Sequence, residues 1–592
     1  MIIFRKSYEW VILFIAFSKS WLILAERVRR MNQLVGIGNQ DFAYIRTNNL
    51  LYIDKTAFIK KWWESGDEVT LITRPRRFGK TLNMDMLNCF FSNKFAGRTE
   101  LFDNLSIWQE EKYRKLQGTY PVIFMSFASV KADNLQDAKE QIKAQIVSLY
   151  EEYRYLLASG HLSENEIAYY KKVSMEMADV QAAMALKLLS EYLYRYYGKK
   201  VIIILDEYDT PMQEAYVNGY WNAFTSFVRN LFNATFKSNP YMERGMMTGI
   251  TRVAKESVFS DLNNLNVITT TSEEYETAFG FTEAEVFAQL DDMGLSGQKY
   301  LVKKWYDGFI FGRERDIYNP WSITNFLDKK QIRPYWASTS SNGLVDSLIR
   351  RASSEIKKKM EDLLEDREIV VNFDEEIIFD QLDQNENAIW SLLLASGYLR
   401  VEQLEYRGEM LEPWYYLRLT NLETKSMFVN MFRNWFAGNG NYNPFILALL
   451  NHDVKAMNVY MNEIALETFS SFDAGHHPSQ RRQPERFYHG FVLGLLADLR
   501  DRYLLKSNRE SGYGRYDVML IPKKERTPAV IIEFKVYDPD EEHNLQETAQ
   551  RALQQIREKK YDTELLALEN RPESIYHYGF AFEGKKVYIQ AE

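Results

Sequence analysis

Thr73-Arg74-Pro75-Arg76-Arg77-Phe78-Gly79-Lys80-Thr81 decides how the N-terminal part of this chain is read. It follows an apolar, β-branched run, Val69–Thr73, and leads into a helical pattern. A loop in that setting aims backbone N–H groups at a phosphate, and the helix dipole favours the phosphate's charge. Lys80 is placed to reach β- and γ-phosphates, and Thr81 offers a hydroxyl to Mg²⁺. Gly79 lets the backbone approach closely. The stretch departs from G-x-x-x-x-G-K-[ST] at its first position, where Arg74 replaces glycine, and Pro75 removes one backbone donor.

Working outward, Lys199-Lys200-Val201-Ile202-Ile203-Ile204-Leu205-Asp206-Glu207 is an apolar run ending in two acids. Such a run reads as a strand buried on both faces. Carboxylates at the C-terminal end of a parallel strand lie where α/β sheets bind ligands. Asp206 is the expected organiser of a Mg²⁺ shell and Glu207 the group that polarises the attacking water. Lys80 and Thr81 are expected to face these acids across neighbouring strand tips. In Thr248-Gly249-Ile250-Thr251-Arg252, Thr251 or Arg252 is the candidate γ-phosphate sensor. The competing reading is a strand end with ordinary polar caps.

Between about 35 and 280, short β-rich runs alternate with longer helical ones, which argues for a parallel α/β sheet. The predicted strands are Val69–Thr73, Val122–Phe127, Val201–Leu205, Gly245–Ile250 and Val267–Thr270, with helices such as Asn134–Glu152 and Val180–Tyr197. Thr282 with Glu285 reads as a capping box. Helical material is then expected to about 470, interrupted by the aromatic stretch Trp305–Trp321. A linker follows at His476–Pro484. Beyond it come a helix (about 485–505), strands Tyr516–Ile521 and Ala529–Val536, a helix at about 543–560, and a terminal β segment.

Composition bounds the function. The 592 residues imply about three or four domains. A net charge of −8 supplies no global field for nucleic acid, so any such contact needs a local basic surface. Cys89 is the single cysteine, which excludes an intrachain disulfide and a cysteine-based zinc site. A reducing cytoplasm fits. Residues 1–30 are apolar but broken by Lys19, marginal for the roughly 20 residues that span a bilayer. They also imitate a signal peptide; the favoured expectation is a start at Met31, with no stable membrane association.

Tyr52-Ile53-Asp54-Lys55-Thr56, the Arg74–Thr81 loop and Leu205-Asp206-Glu207-Tyr208-Asp209 together resemble the bacterial AAA-ATPase-like family. Its members commonly carry a C-terminal PD-(D/E)XK nuclease-like domain. Trp305-Tyr306-Asp307-Gly308-Phe309, Phe311-Gly312 and Tyr318-Asn319-Pro320-Trp321-Ser322 resemble that family's lid, and Ser396-Gly397-Tyr398-Leu399 its middle segment. The resemblance implies ATP held by Arg76, Arg77, Phe78, Gly79, Lys80, Thr81 and Asp206. It also makes the arginine-rich loop normal for the family.

Towards the C-terminus, Asp517 precedes Glu533 by 16 positions, inside Ala529-Val530-Ile531-Ile532-Glu533-Phe534-Lys535. Strand alternation puts Glu533 and Lys535 on one side and Phe534 on the other. A carboxylate and an ammonium ending a buried apolar run need compensation, which a divalent ion held by Asp517 and Glu533 supplies. Two acids plus a lysine suit metal-dependent phosphodiester hydrolysis with Mg²⁺, or Mn²⁺ in its place. Glu485 resembles the superfamily's extra acidic ligand, and Gln555 and Tyr561 its downstream motif. The competing reading is a Glu–Lys pair solvating a strand end in a non-cleaving binding module. His489 is assigned no role, and Arg481, Arg482 and Arg486 read as a solvated face.

The expected architecture is α/β: a P-loop NTPase domain with a parallel sheet, a helical lid and middle region, and a C-terminal restriction-endonuclease-like domain. The expected boundaries are 1–30 (extension), 31–281 (ATPase-like), 282–345 (helical, winged-helix-like lid), 346–475 (helical middle) and 476–592 (nuclease-like). The leading expectation is an ATPase coupled to a nuclease-like domain acting on DNA or RNA. A regulatory switch whose C-terminal domain only binds is the alternative. A homo-oligomer is a further expected partner.

Overall fold

Val69–Thr73 (β1) is apolar or β-branched throughout and buried at every position. It is an interior strand of a parallel sheet with β2 (Val122–Ser126), β3 (Val201–Asp206), β4 (Met242–Gly249) and β5 (Leu265–Ile268). The order is β2-β3-β4-β1-β5. β3 is buried at all six positions, as an apolar run covered on both faces must be. The computed structural model describes residues 33–592 except 238, 252–258, 260–261, 338–343, 346–347, 350–351, 376–381, 383–384, 437–443, 469–487, 490, 494, 497–498, 500–501, 512–513, 525–526 and 569–571. The readings of the N-terminal extension and of the linker from His476 to Pro484 therefore lie outside the described residues.

The strand order corrects one expectation. β1 and β3 are not neighbours, because β4 lies between them and pairs in parallel with both. The lysine and the acids thus face each other across an intervening strand tip.

Thr282 caps the helix Glu283–Asp292, and Glu285 completes the capping box as the sequence predicts. Helices predominate from there to about 470, as expected, but two small sheets interrupt them. β6 (Phe281–Thr282), β7 (Phe309–Phe311) and β8 (Glu314–Tyr318) form a three-stranded sheet, ordered β6-β8-β7. β9 (Ile369–Asn372), β10 (Leu399–Arg407) and β11 (Glu412–Leu419) form another. In β11, Tyr415, Leu417 and Leu419 are buried at period two, the mark of a half-covered strand.

The chain divides into two compact units, Met1–Ser340 with Val370–Thr424, and Ser341–Ile369 with Lys425–Glu592. The expected middle region, 346–475, is shared between them. Among the described residues no helix is long and apolar enough to cross a membrane.

The second unit holds a five-stranded sheet of β12 (Tyr503–Ser511), β13 (Gly514–Pro522), β14 (Ala529–Val536), β15 (Ile575–Glu583) and β16 (Lys586–Ala591), in chain order. β12 occupies the end of the stretch expected as helix 485–505. Only β14 and β15 pair in parallel, and the helix Leu545–Lys559 lies between them in the chain. Alternation sorts the two faces. Val518, Leu520, Val530, Ile532 and Phe534 join the helices Pro444–Leu450 and Val454–Thr468 in one core. Met519, Ile521, Ala529 and Ile531 pack with Leu553, Ile556 and Tyr561 in the other.

His577 stands at the edge of this unit, with Nε2 2.7 Å from Asp562 Oδ1 and Nδ1 3.5 Å from Glu592 Oε1. Burial lowers its pKa, but the hydrogen bond and charge of Asp562 outweigh burial and the net shift is upward. A raised folded pKa contributes stability that is complete below the unfolded value of about 6.5 and is lost as pH rises through the folded value. Stability of this unit is therefore expected to fall, by on the order of 1 kcal/mol, as pH rises from about 6 to about 8. Asp562→Asn should flatten that slope in thermal melts; identical slopes in both proteins would refute the pairing.

Candidate functional site

The loop after β1 ends at Gly79, which caps the helix Lys80–Phe91 in a left-handed conformation (φ 78°, ψ 17°). Lys80 is 4% exposed, and its Nζ donates to the carbonyls of Arg74 and Pro75, each at 2.9 Å. An ammonium carries three protons, so two close the loop and one remains for a phosphate oxygen. Burial pushes the Lys80 pKa down, against the opposing charges of Glu207, Asp209 and Asp206.

Asp206 is fully buried at the tip of β3. Its Oδ2 accepts from Thr81 Oγ1 at 2.8 Å and Ser126 Oγ at 3.3 Å; its Oδ1 accepts from Thr248 Oγ1 at 2.6 Å. Burial raises its pKa, and the hydroxyl bonds of Thr248 and Thr81 oppose that rise. Glu207 takes a positive φ of 52° and accepts from Thr210 Oγ1 at 3.2 Å. Lys80, Thr81 and Asp206 are thus brought together, with Glu207 at the turn that follows.

The two threonines of the sensor motif meet different acids. Thr248, at the end of the intervening strand, meets Asp206. Thr251 instead gives its N–H and hydroxyl to Asp209 Oδ2, both at 2.7 Å. Arg252 lies outside the described residues. Ser126 and Thr248 were the missed members of this cluster. Their available signal was a hydroxyl at each strand end, which is ambiguous until strand order is known.

Side chains at positions 76–78 of the loop have partners other than Asp206. Arg76 Nη2 donates to Gln213 Oε1 at 3.1 Å, and the Arg77 guanidinium sits 4.4 Å from the Trp321 ring centroid. Phe78 packs edge-on against Phe309 and Phe311, at 4.7 and 5.3 Å. A phosphate would therefore meet the backbone of these three residues. Arg74 is fully buried; its Nη1 donates to Thr73 O at 2.9 Å and Thr269 O at 2.6 Å, and its guanidinium lies 4.7 Å from the Phe311 ring. Burial pushes its pKa down to about 9. Arg74 thus ties β1 to the segment after β5, a tie that glycine could not make. Lys55 of the Tyr52–Thr56 motif, 8% exposed, donates to Glu285 Oε1 and Oε2 at 2.8 and 2.7 Å. That pair ties the helix Glu283–Asp292 to the Tyr52–Thr56 segment.

In the second unit, Asp517 Oδ2 accepts from the Phe534 N–H at 2.9 Å, placing its carboxylate beside Glu533. Alternation puts Asp517, Glu533 and Lys535 on the face that carries Leu553 and Tyr561. Glu533 is 3% exposed and accepts from Gln555 Nε2, which also donates to Tyr561 Oη at 3.2 Å. Burial, then the charge of Glu533, pushes the Tyr561 pKa up to about 12. His489 serves the opposite face; its Nε2 lies 3.1 Å from the Asp517 carbonyl, and burial lowers its pKa to about 4. Glu485, Arg481, Arg482 and Arg486 lie outside the described residues. Two buried or half-buried acids and a lysine on one face are a hard-oxygen donor set that suits Mg²⁺ or Mn²⁺.

A separate acidic group, Glu283, Asp307 and Asp316, gathers beside β8. Lys303 Nζ stands 3.7 Å from Asp307 and 3.5 Å from Asp316 and also pairs with Glu283, so an ammonium supplies the counter-charge there.

A five-stranded parallel sheet with a lysine-closed loop, a helix-start hydroxyl and a strand-end aspartate defines a P-loop-like domain; the second unit is nuclease-like. Comparison with family models agrees. Residues 36–259 match the AAA-ATPase-like family, described as a predicted AAA-ATPase, and residues 483–592 match the PD-(D/E)XK nuclease superfamily. The chain carries an AAA-ATPase-like domain followed by a C-terminal domain of the PD-(D/E)XK nuclease superfamily. It is also similar to an uncharacterized protein in the vnfD 5' region of Azotobacter chroococcum mcd 1, 27% identical over 393 residues, which are 66% of this chain and 68% of that protein.

Proposed function

We propose that the chain binds and hydrolyses ATP in its first unit and couples nucleotide state to metal-dependent cleavage of nucleic acid by its second. The observation that carries the reading is the Thr81–Asp206 hydrogen bond beside the buried, loop-closing Lys80. Lys80 holds the loop and offers its remaining proton to a phosphate oxygen. Thr81 and Asp206 present hard oxygens side by side, which is what Mg²⁺ prefers, and Ser126 and Thr248 keep the Asp206 carboxylate aimed. Glu207 orients the attacking water. Bound Mg²⁺ would screen charge on the triphosphate.

In the second unit Asp517 and Glu533 would hold the divalent ion, which when bound polarises a phosphodiester and acidifies a water. Lys535 would position that water, and Gln555 and Tyr561 orient Glu533. The test is cleavage of single- and double-stranded DNA and RNA with Mg²⁺ or Mn²⁺, with and without ATP. Asp517→Ala and Glu533→Ala are each expected to lower cutting about a hundredfold or more, roughly 3 kcal/mol of barrier. ATP turnover without any cutting would defeat the nuclease half and leave a nucleotide-driven switch.

A further inference from the structure

We propose that Trp321 is a positioning residue for the phosphate loop, holding Arg77 in the backbone conformation that the loop requires. The inference rests on the nucleotide-binding reading above. Arg77 has a φ of 66°, a left-handed conformation that L side chains avoid and glycine adopts freely. Its side chain is exposed, so burial does not hold it there. The contact that does is the stack of its guanidinium on Trp321, at 4.4 Å.

The neighbouring residues fit that role. Trp321 lies in the first turn of the helix Pro320–Lys329, and Asn319 caps it, accepting from the N–H groups of Trp321 and Ser322 at 2.9 and 3.2 Å. The same Asn319 side chain donates to the Arg76 carbonyl at 3.4 Å. One helix start thus grips the loop twice, by a carbonyl at 76 and a guanidinium at 77. Phe78 is wedged against Phe309 and Phe311, and a Cβ at Gly397 would come within 2.7 Å of Pro75. Four consecutive loop residues therefore lean on the Tyr318–Ser322, Trp305–Gly312 and Ser396–Leu399 motifs. The loop's shape is set from outside the sheet, and Trp321 supports its one left-handed non-glycine residue.

The experiment measures hydrogen exchange of the loop amides at 76–81 and MgATP affinity by titration, in Trp321→Ala, Trp321→Phe and Trp321→Ala with Arg77→Gly. Trp321→Ala is expected to speed loop exchange about tenfold and weaken MgATP binding about fivefold. Trp321→Phe, which keeps an aromatic face, should stay near the parent protein. Adding Arg77→Gly to Trp321→Ala should restore both readouts, because glycine needs no support at that φ. Exchange in Trp321→Ala equal to the parent's, or no rescue by glycine, overturns the proposal. A parent protein that ignores millimolar MgATP sinks the nucleotide reading alone, and the exchange arm still decides the role of Trp321.

Discussion

Lys80→Ala is expected to lower ATP turnover about a thousandfold or more, roughly 4 kcal/mol of barrier. Two losses combine. The carbonyls of Arg74 and Pro75 lose the ammonium that closes the loop, so the backbone N–H groups no longer converge. A phosphate oxygen also loses the buried ammonium, in a site where burial makes each charge count more than in water. Asp206→Asn is the companion variant. It keeps the shape of the side chain but removes its charge, so ATP binding should survive better than turnover. Phosphate release measured under saturating MgATP checks both; a Lys80→Ala protein retaining a tenth of parent activity would refute the assigned role.

The second large effect concerns the free edge of the C-terminal sheet. β16 is an edge strand, and an edge normally exposes unpaired backbone groups. Here two asparagines cover it. Asn458 donates to Ile589 O and accepts from Ile589 N–H, both at 2.8 Å. Asn462 does the same at Val587, at 2.7 and 3.0 Å. The fit is geometric: four residues along a helix rise about 6 Å, close to the roughly 6.8 Å of two residues along a strand. Each amide therefore replaces one missing residue of a neighbouring strand.

Replacing both by Ala removes four hydrogen bonds, at about 1 kcal/mol each, so a loss of about 4 kcal/mol is expected. Asn→Asp at either position should cost about as much as Ala, since a carboxylate cannot donate to the strand carbonyl. Urea melts followed by exchange of the 586–591 amides would show the loss. The uncovered edge should also promote association through strand pairing, visible in size-exclusion profiles. A double variant that melts like the parent would show that water replaces the amides at no cost.

Much of the fold was legible locally. Val69–Thr73 and Ala529–Val536 are strands with the predicted bounds, because runs this rich in apolar and β-branched residues admit little else. The Thr282–Glu285 box was equally plain, since a cap acts over three residues. The hairpin at Leu399–Leu419 was missed because its inward residues alternate with Arg, Glu and Gln, a pattern that needs a partner strand before it becomes stable. Thr248 and Thr251 are both hydroxyls at one strand end, and only pairing with β3 shows which meets Asp206.

By itself, then, the sequence determined the elements and their chemistry: a lysine and hydroxyl at a helix start, an acid at a strand tip, and Glu533 and Lys535 at positions that share a face. These follow from dihedral preference and side-chain periodicity, which act within a few residues. Only the tertiary structure decided that β4 separates β1 from β3, that residues 305–322 and 396–399 pack on loop residues 75–78, and that the helix Val454–Thr468 belongs with the C-terminal sheet. Each of these joins segments far apart in the chain, and a residue's type specifies which face is buried but not what covers it.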